Sequence, residues 1–373
     1  ATVTKRGTGT LTLAGANTYT GATIIESGTL IITDSSTLGT TNGATTVKGG
    51  NGNTGANLSL ASATSDLTIA EAINLNGSAA GRAILRNSSA QNHTFNGAIN
   101  VSSDVNLAQI LSDGAGSITF SGDITGTLTG GASVLLRGNS TSDSNRFAGN
   151  ITITGGAFSK TDAGTWTVGA PGKTVSVGSL TVAVGTLKMG VADCLTGAPV
   201  LTMGNPTGSS TPTLALNGFS QTVGGIIYNA PGVATGTKTI TSATAAVLTV
   251  TNATDYTATG SGANSVVLTG SLGLTKTGAG TFTLNGVNTY TGLTTVSDGT
   301  LGVNGVISGP VTVGAFGTLS PGTSLGTLTI SNNLTLGGNV LIELNKSLAP
   351  SNDIVAVTGT LSYGGTITIT NLG

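Results

Sequence analysis

The sequence predicts an all-β protein that folds as a parallel β-helix, a β-solenoid of about 16–18 coils if each coil takes about 20–24 residues. Three observations predict this fold. One phrase of fifteen residues occurs twice, short runs alternate between apolar and polar residues, and glycine-rich turns separate these runs. A repeated unit favours stacking, because each copy buries its apolar side chains against the next copy.

The repeated phrase is the strongest of these observations. Residues 7–21 read GTGTLTLAGANTYTG and residues 278–292 read GAGTFTLNGVNTYTG, with identity at eleven of the fifteen positions. A weaker third copy begins at Lys160, where KTDAGTWTV matches the KTGAGTFTL that begins at Lys276. We therefore expect repeat sub-blocks that start near residues 1, 158 and 270, within a single continuous solenoid over residues 1–373.

Alternating runs indicate strands with one buried face. Residues 10–13, 117–120 and 366–369 are examples in which every second side chain is apolar. Threonine supplies much of the polarity, and its branched side chain suits a strand better than a helix. A sandwich of two antiparallel sheets would also contain short strands. The similarity of the units and the 3% aromatic content favour a solenoid, with a narrow interior filled by rows of Val, Ile and Leu.

Composition excludes several functions. Only 7% of the residues are charged, the net charge is −1, and the 13 basic residues are scattered, so we expect no nucleic-acid partner. No stretch approaches the roughly 20 apolar residues of a membrane helix, so we expect no membrane insertion in this segment. A single cysteine and a single histidine argue against a metal cluster, and we expect no cofactor. Cys194 is predicted to be a small buried residue and His93 a solvated corner residue.

The acidic residues give little support for an enzyme. Enzymes of the β-helix class gather carboxylates in one cleft, whereas the 14 acids here lie far apart in the sequence. The best candidate patch lies within residues 82–146. Its acids and bases are Asp104, Asp113, Asp123, Arg82, Arg86, Arg137 and Arg146. Isolated solvated charges are the preferred interpretation. A G-x-S-x-G motif at 322–326 has neither a helix after it nor a nearby histidine, so we predict no catalysis.

The repeat resembles a known family. The pattern K-x-G-x-G-T-L-T-L-x-G-x-N-T-Y-T-G, followed by a Gly-Thr-Leu strand, is similar to the autotransporter-associated β-strand repeat of bacterial passenger domains. Residues 4–30 and 275–301 carry it nearly complete, and 214–226, 317–344 and 351–369 resemble the same family. The resemblance implies a right-handed parallel β-helix, exported and displayed outside the cell. It implies no activity. The long strands and aromatic girdles of an autotransporter membrane barrel do not occur, so either the barrel was removed or the protein belongs to relatives that use the repeat without one. Because Ala1 begins inside a repeat, we expect a piece of a longer precursor.

Fourteen positions define the structure of the repeat. They are Gly9, Leu11, Leu13, Asn17, Tyr19, Gly21 and Leu30, and then Gly280, Phe282, Leu284, Asn288, Tyr290, Gly292 and Leu301. The leucines and the phenylalanine are predicted to point inward. Each asparagine is predicted to hydrogen-bond a neighbouring backbone group at a corner. Each tyrosine is predicted to pack beside it with its hydroxyl group at the edge.

These observations predict an extracellular structural rod that forms a surface stalk, filament or matrix by stacking of coils. The expected partner is a second copy, end to end, because the sequence begins in a repeat strand and ends in the uncharged strand GGTITITNLG. The alternative is an adhesin or glycan-binding passenger domain. It would hold a glycan or a host-surface ligand through protruding loops at 40–56 and 204–213. A polysaccharide-degrading β-helix enzyme comes third.

Overall fold

The computed structural model describes residues 1–49, 55–78, 81–103, 108–142, 144–205, 209–229, 236–258, 265–322 and 324–373. These residues form strands and no helix, every ladder between strands is parallel, and the strands stack as a β-solenoid of about 13 turns. The predicted fold class is thereby confirmed. The chain divides into two compact units, Ala1–Gly197 and Ala198–Gly373. Each is described by itself, and the single continuous solenoid stays a prediction.

Three parallel sheets build the first unit. The first sheet contains Val3–Lys5, Thr23–Ile25, Thr45–Lys48, Ile73–Gly77, Ile99–Ser103, Ile124–Leu128, Ile151–Thr154, Val175–Val177 and Leu195–Thr196. The second contains Thr10–Leu13, Gly28–Ile32, Ala56–Leu60, Ala83–Asn87, Ala108–Ser112, Ser133–Arg137, Ala157–Lys160 and Ser179–Val182. The third contains Thr68–Ile69, His93–Phe95, Ile118–Phe120, Arg146–Phe147, Thr165–Val168 and Thr186–Met189.

Register between coils creates interior rows of like side chains. Ile73, Ile99, Ile124 and Ile151 face one another in succession, and each is at most 1% exposed. The coils differ in length. Val3 pairs with Thr23, a step of 20 residues, whereas Thr45 pairs with Ile73, a step of 28. The expected 16–18 coils were therefore too many, because turns in the middle of this unit are longer than the repeated phrase suggests.

One interior row of the first unit is aromatic. Phe95 stacks on Phe120 with ring centroids 5.2 Å apart, Phe120 on Phe147 at 4.8 Å, and Phe147 on Trp166 at 5.1 Å. All four are at most 1% exposed. The expectation of a purely aliphatic interior was wrong here. Rings fit because the spacing of parallel strands, about 4.8 Å, is close to the separation that stacked rings prefer.

The second unit contains one large sheet, one small sheet and a strand pair. The large sheet contains Thr213–Ala215, Gln221–Val223, Lys238–Thr251, Tyr256–Thr257, Val266–Thr277, Thr281–Thr283, Thr294–Val303, Val311–Pro321, Leu334–Leu336, Asn339–Leu344, Leu361–Tyr363 and Thr366–Asn371. The small sheet contains Gly286–Asn288, Gly305–Ile307, Thr327–Ile330 and Ile354–Val357. Val200–Met203 pairs with Gly225–Tyr228.

The interior positions of the repeat behave differently in its two copies. Leu30, Phe282, Leu284 and Leu301 are fully buried, as predicted. Leu11 lies opposite Leu30 and belongs to the same row, yet 37% of it is exposed, and Leu13 is half-buried. The inward prediction was wrong for these two residues. They lie in the first described coil, where only one neighbouring coil packs against them.

This contrast gives a matched test of packing. Leu284 and Leu13 occupy the same position of the repeat, so Leu284→Ala should lower the free energy of unfolding by about 2–5 kcal/mol. Leu13→Ala should cost less than about 1 kcal/mol, because this side chain is only partly removed from water. Urea denaturation followed by circular dichroism measures both. Equal losses would show that the two copies are packed alike.

Candidate functional site

Four lysines of the described chain are buried: Lys238, and the three that begin copies of the repeat, which are Lys5, Lys160 and Lys276. Lys160 occupies a row position between Leu136 and Val182, and Lys276 one between Val250 and Val296. Both lysines are fully buried, and Lys5, at the same position of the first repeat, is 6% exposed. A buried ammonium group is costly unless hydrogen-bond acceptors replace its lost water. The surroundings of each Nζ atom therefore decide what these lysines do.

Backbone carbonyl groups supply the acceptors. Lys276 Nζ donates to the carbonyl oxygens of Thr277 at 2.8 Å, Gly278 at 2.6 Å and Asp298 at 3.2 Å. Thr277 is the last residue of the strand that contains the lysine and Gly278 follows it, whereas Asp298 belongs to the strand Thr294–Val303 of the next coil, where the register shifts. One ammonium group thus joins two successive coils.

The other copies repeat this arrangement. Lys5 Nζ donates to the carbonyl oxygens of Arg6 at 2.9 Å, Gly7 at 2.7 Å and Ser27 at 3.0 Å. Lys160 Nζ donates to the carbonyl oxygens of Asp162 and, at 3.2 Å, Val184. In all three copies the acceptor from the next coil directly precedes the glycine of the Gly-Thr-Leu triplet.

That glycine has a left-handed backbone. The φ angle is +71° at Gly28, +72° at Gly185 and +65° at Gly299, a region that side chains rarely adopt. A Cβ atom would also lie 2.7 Å from Lys5 Nζ at Gly28 and 2.7 Å from Lys160 Nζ at Gly185. We name the pairs Lys5/Gly28, Lys160/Gly185 and Lys276/Gly299 the lysine–glycine locks. No sequence pattern identified these pairs, although a lysine begins all three copies of the repeat.

Burial changes the titration of Lys160 and Lys276. Loss of hydration lowers the pKa of Lys160 to about 8, and the nearby Asp162 charge partly opposes this shift. Loss of hydration also lowers the pKa of Lys276, against the opposing charges of Asp298 and Asp255. A lysine with a lowered pKa can be a nucleophile. Here each Nζ atom binds carbonyl oxygens inside the solenoid, so the arrangement serves structure.

The tyrosines of the repeat bind a threonine four residues later. The Tyr19 hydroxyl lies 2.6 Å from Thr23 Oγ1, and the Tyr290 hydroxyl lies 2.5 Å from Thr294 Oγ1. Tyr290 is fully buried, and burial raises its pKa. The expected position of the hydroxyl group at the edge was therefore wrong for Tyr290, because its threonine partner is buried as well.

The asparagines bind neighbouring backbone, as predicted. Asn17 Nδ2 donates to the carbonyl oxygen of Thr37 at 2.9 Å, in the next coil. Asn288 Oδ1 accepts a hydrogen bond from the backbone N–H of Leu268 at 3.0 Å. Each side chain therefore replaces a backbone partner at a corner where the ladder is interrupted.

Three of the four remaining repeat glycines lie against the backbone of an adjacent coil. A Cβ atom would lie 2.1 Å from the Ala1 carbonyl oxygen at Gly21, and 2.5 Å from a carbonyl oxygen at both Gly280 and Gly292. At Gly9 nothing lies within 4 Å. The close approach of stacked backbones thus requires glycine at three of these positions.

Comparison with known families matches the two copies that contain Lys5 and Lys276. The model of the passenger-associated-transport repeat matches residues 3–32 and 274–303. These segments include two complete lysine–glycine locks and both tyrosine–threonine pairs. The match covers these two segments and not the rest of the chain. Together with the parallel solenoid, it makes the chain similar to the β-helix of an autotransporter passenger. Comparisons with curated proteins and with solved structures gave no significant match.

The single histidine of this passenger-like protein is buried, which corrects the prediction of a solvated corner residue. His93 is 1% exposed and lies opposite Ile118. Its Nδ1 atom accepts a hydrogen bond from the Leu67 N–H at 3.0 Å, and its Nε2 atom lies 2.9 Å from Ser89 Oγ. Burial lowers its pKa. The polar neighbours NSSAQN in the sequence hid an inward-facing position.

The candidate acidic patch is not assembled as a cleft. Asp113 forms an ion pair with Arg86 at 2.9 Å, and Asp123 accepts a hydrogen bond from the backbone N–H of Asn150 at 2.8 Å. Asp104 lies outside the described residues. Within the described ranges, no group of three or more His, Cys, Asp or Glu side chains is placed to hold a metal ion. Cys194 is buried, in agreement with its predicted place.

The predicted loops of the passenger-like chain are only partly loops. Within 40–56, Thr45–Lys48 is a strand of the first sheet and Ala56 begins another, so the loop prediction was wrong there. Residues 50–54 lie outside the described residues. Within 204–213, residues 206–208 lie outside them too, and Thr213 begins a strand. None of the described segments is a helix long and apolar enough to cross a membrane.

Glu71 is a buried acid that no sequence pattern identified. It is 4% exposed, its Oε1 atom accepts a hydrogen bond from Thr45 Oγ1 at 2.8 Å, and its Oε2 atom has no hydrogen-bond partner among the described residues. Burial raises its pKa to about 7, although the Thr45 hydroxyl group opposes this. Its protonated form is therefore favoured by folding.

Removal of one lock lysine should destabilise the passenger-like fold. Lys276→Met keeps much of the apolar stem but removes the ammonium donor from three carbonyl groups, of which that of Thr277 also accepts from the Asn252 N–H. We therefore expect the free energy of unfolding, measured by urea denaturation, to fall by about 2–4 kcal/mol. Lys346→Met is the control, because Lys346 is exposed. A change below about 0.5 kcal/mol for Lys276→Met would show that the lock contributes nothing to stability.

Glu71 should make stability depend on pH. Its folded pKa of about 7 exceeds the ordinary value of 4.5 for a glutamate, so the native state binds more protons between these two pH values. Its contribution is complete below pH 4.5 and is lost as pH rises through 7. Glu71→Gln should flatten this fall by about 2–3 kcal/mol, measured as unfolding free energies from pH 4.5 to 7.5. Glu26→Gln, whose acid has a lowered pKa, should leave the fall in place.

Proposed function

We propose that this chain is a non-catalytic structural segment of an exported bacterial passenger, a β-solenoid that extends or displays protein surface outside the cell. The observation that carries the proposal is the lysine–glycine lock, present in three copies. Each lock joins successive coils with one side chain and leaves no free reactive group. The passenger-associated-transport repeat, matched at 3–32 and 274–303, supports export to a secreted or surface-exposed location.

The contacts of the charged side chains support a structural role. Arg137 binds Asp162 at 3.2 Å, and Arg6 and Lys48 both bind Glu26. These pairs join neighbouring coils. End-to-end stacking of successive copies is part of the proposal and stays a prediction.

The test combines surface display with an activity assay. The chain is exported in a Gram-negative host behind a signal sequence and before an outer-membrane anchor, with an epitope at its N-terminus. We expect the epitope to be accessible on intact cells and the chain to resist trypsin. Lys160→Met with Lys276→Met should make the displayed chain sensitive to trypsin, whereas Lys346→Met should not.

The same displayed protein is incubated with pectin, alginate and xylan, and released reducing ends are measured. We expect no release above that from cells without the chain. Release that disappears in Asp113→Asn or Asp123→Asn would overturn the proposal in favour of an enzyme. A wild-type chain that is degraded as fast as the double variant would overturn the structural role.

A further inference from the structure

The second unit contains a surface cleft of about 330 Å³ that the structural role does not use. Its lining includes Asp255, Thr281, Thr283, Ser320 and Glu343. This volume lies in the range of sites that take small molecules. The side chains of this lining restrict the chemistry of the ligands that can bind there.

Strand register builds the floor of the cleft. Phe282 faces Leu301 in the next strand and is fully buried, so the alternate side chains of this strand point outward. Thr283 lies opposite Gly302, and Gly302 lies opposite Ser320. Gly302 thus lies between the two hydroxyl-bearing residues, which are separated by two strand spacings of about 4.8 Å each.

The hydroxyl groups of Thr283 and Ser320 make no hydrogen bond within the described part of the chain. The two residues are 3% and 7% exposed. Neither hydroxyl oxygen belongs to the fully buried atoms without a partner, so both reach the surface of the cleft. These two groups line the cleft, where a ligand can reach them.

Two carboxylates complete the lining. Asp255 Oδ1 accepts a hydrogen bond from the Thr281 N–H at 2.7 Å, which fixes the side chain. Glu343 is held through its backbone, whose N–H donates to Asp353 Oδ2 at 2.7 Å. No described residue hydrogen-bonds the Glu343 carboxyl group. Burial and the negative charge of Asp353 raise its pKa, which indicates poor hydration.

The lining selects the ligand by charge and by hydrogen-bond type. It contains carboxylates and no Lys or Arg, so it disfavours phosphates, uronates and other anions. Ionised carboxylates only accept hydrogen bonds, whereas threonine and serine hydroxyl groups both donate and accept. A neutral sugar carries several hydroxyl groups that satisfy both kinds of group, and Leu341 offers an apolar contact for its C–H groups.

We propose that this cleft binds a neutral carbohydrate, with Thr283 and Ser320 bonding its hydroxyl groups at the floor and Glu343 and Asp255 accepting from them at the sides. This site lies on the strands of the repeat itself. It is distinct from the loops at 40–56 and 204–213.

Titration calorimetry of the whole chain with maltohexaose, cellohexaose and chitohexaose tests the proposal. We expect at least one of them to bind. Thr283→Val and Glu343→Gln should each weaken that binding by about tenfold or more, since a buried partner would lose its hydrogen bond. Thr312→Val is the matched control, because Thr312 is an outward-facing threonine of the same sheet and does not line the cleft. Circular dichroism confirms that each variant is folded.

Three outcomes would overturn the proposal. One is the absence of saturable heat with all three saccharides at 10 mM, on the order of the weakest useful affinity. Another is binding that Thr283→Val and Thr312→Val affect equally, which places the ligand elsewhere. The third is binding of calcium chloride or spermidine that Glu343→Gln abolishes while the saccharides remain inert, which assigns the cleft to cations.

Discussion

Parallel stacking in register is the constraint on which the rest of this protein depends. Each strand residue lies opposite its counterpart in the next coil, so whatever occupies one position must tolerate a copy of itself about 4.8 Å away. Apolar side chains and aromatic rings meet this condition, as the rows of Ile99 and Phe120 show. Like charges do not. The inward rows are therefore neutral except where a lysine lies between two aliphatic residues.

The ends of stacked strands create a second demand. Carbonyl groups of successive coils point into the same space, as those of Gly278 and Asp298 do around one lysine. A lysine side chain is long enough to run along the apolar row and end among these oxygens, as Lys276 does. Glycine in the next coil keeps that space open. One charged residue and one glycine thus make a corner that can be copied along the chain.

The repeated phrase was sufficient to predict interior rows and corner residues within its own copies. Leu30, Leu284 and Asn17 could be assigned because two copies constrain each other. The lengths of the coils between the copies could not be predicted from the sequence, because turns of different length are compatible with the same pattern of strands. Lys276 was not selected as an interior residue, although a lysine begins each copy of the repeat. The cleft near Gly302 depends on which residue of one coil faces which residue of the next. The sequence of a single strand does not determine this register.

The aromatic row places the tryptophan fluorescence of the protein in one of its two units. Trp166, the single tryptophan, is buried against Phe147 in the first unit, and its Nε1–H donates to the Arg137 carbonyl oxygen at 3.2 Å. Its fluorescence therefore reports the environment of that unit and carries no direct signal from the other. Emission and backbone dichroism, recorded on one sample, separate the melting of Ala1–Gly197 from that of the whole chain. Because Trp166 lies in one unit only, its fluorescence makes it possible to test whether the two units unfold together.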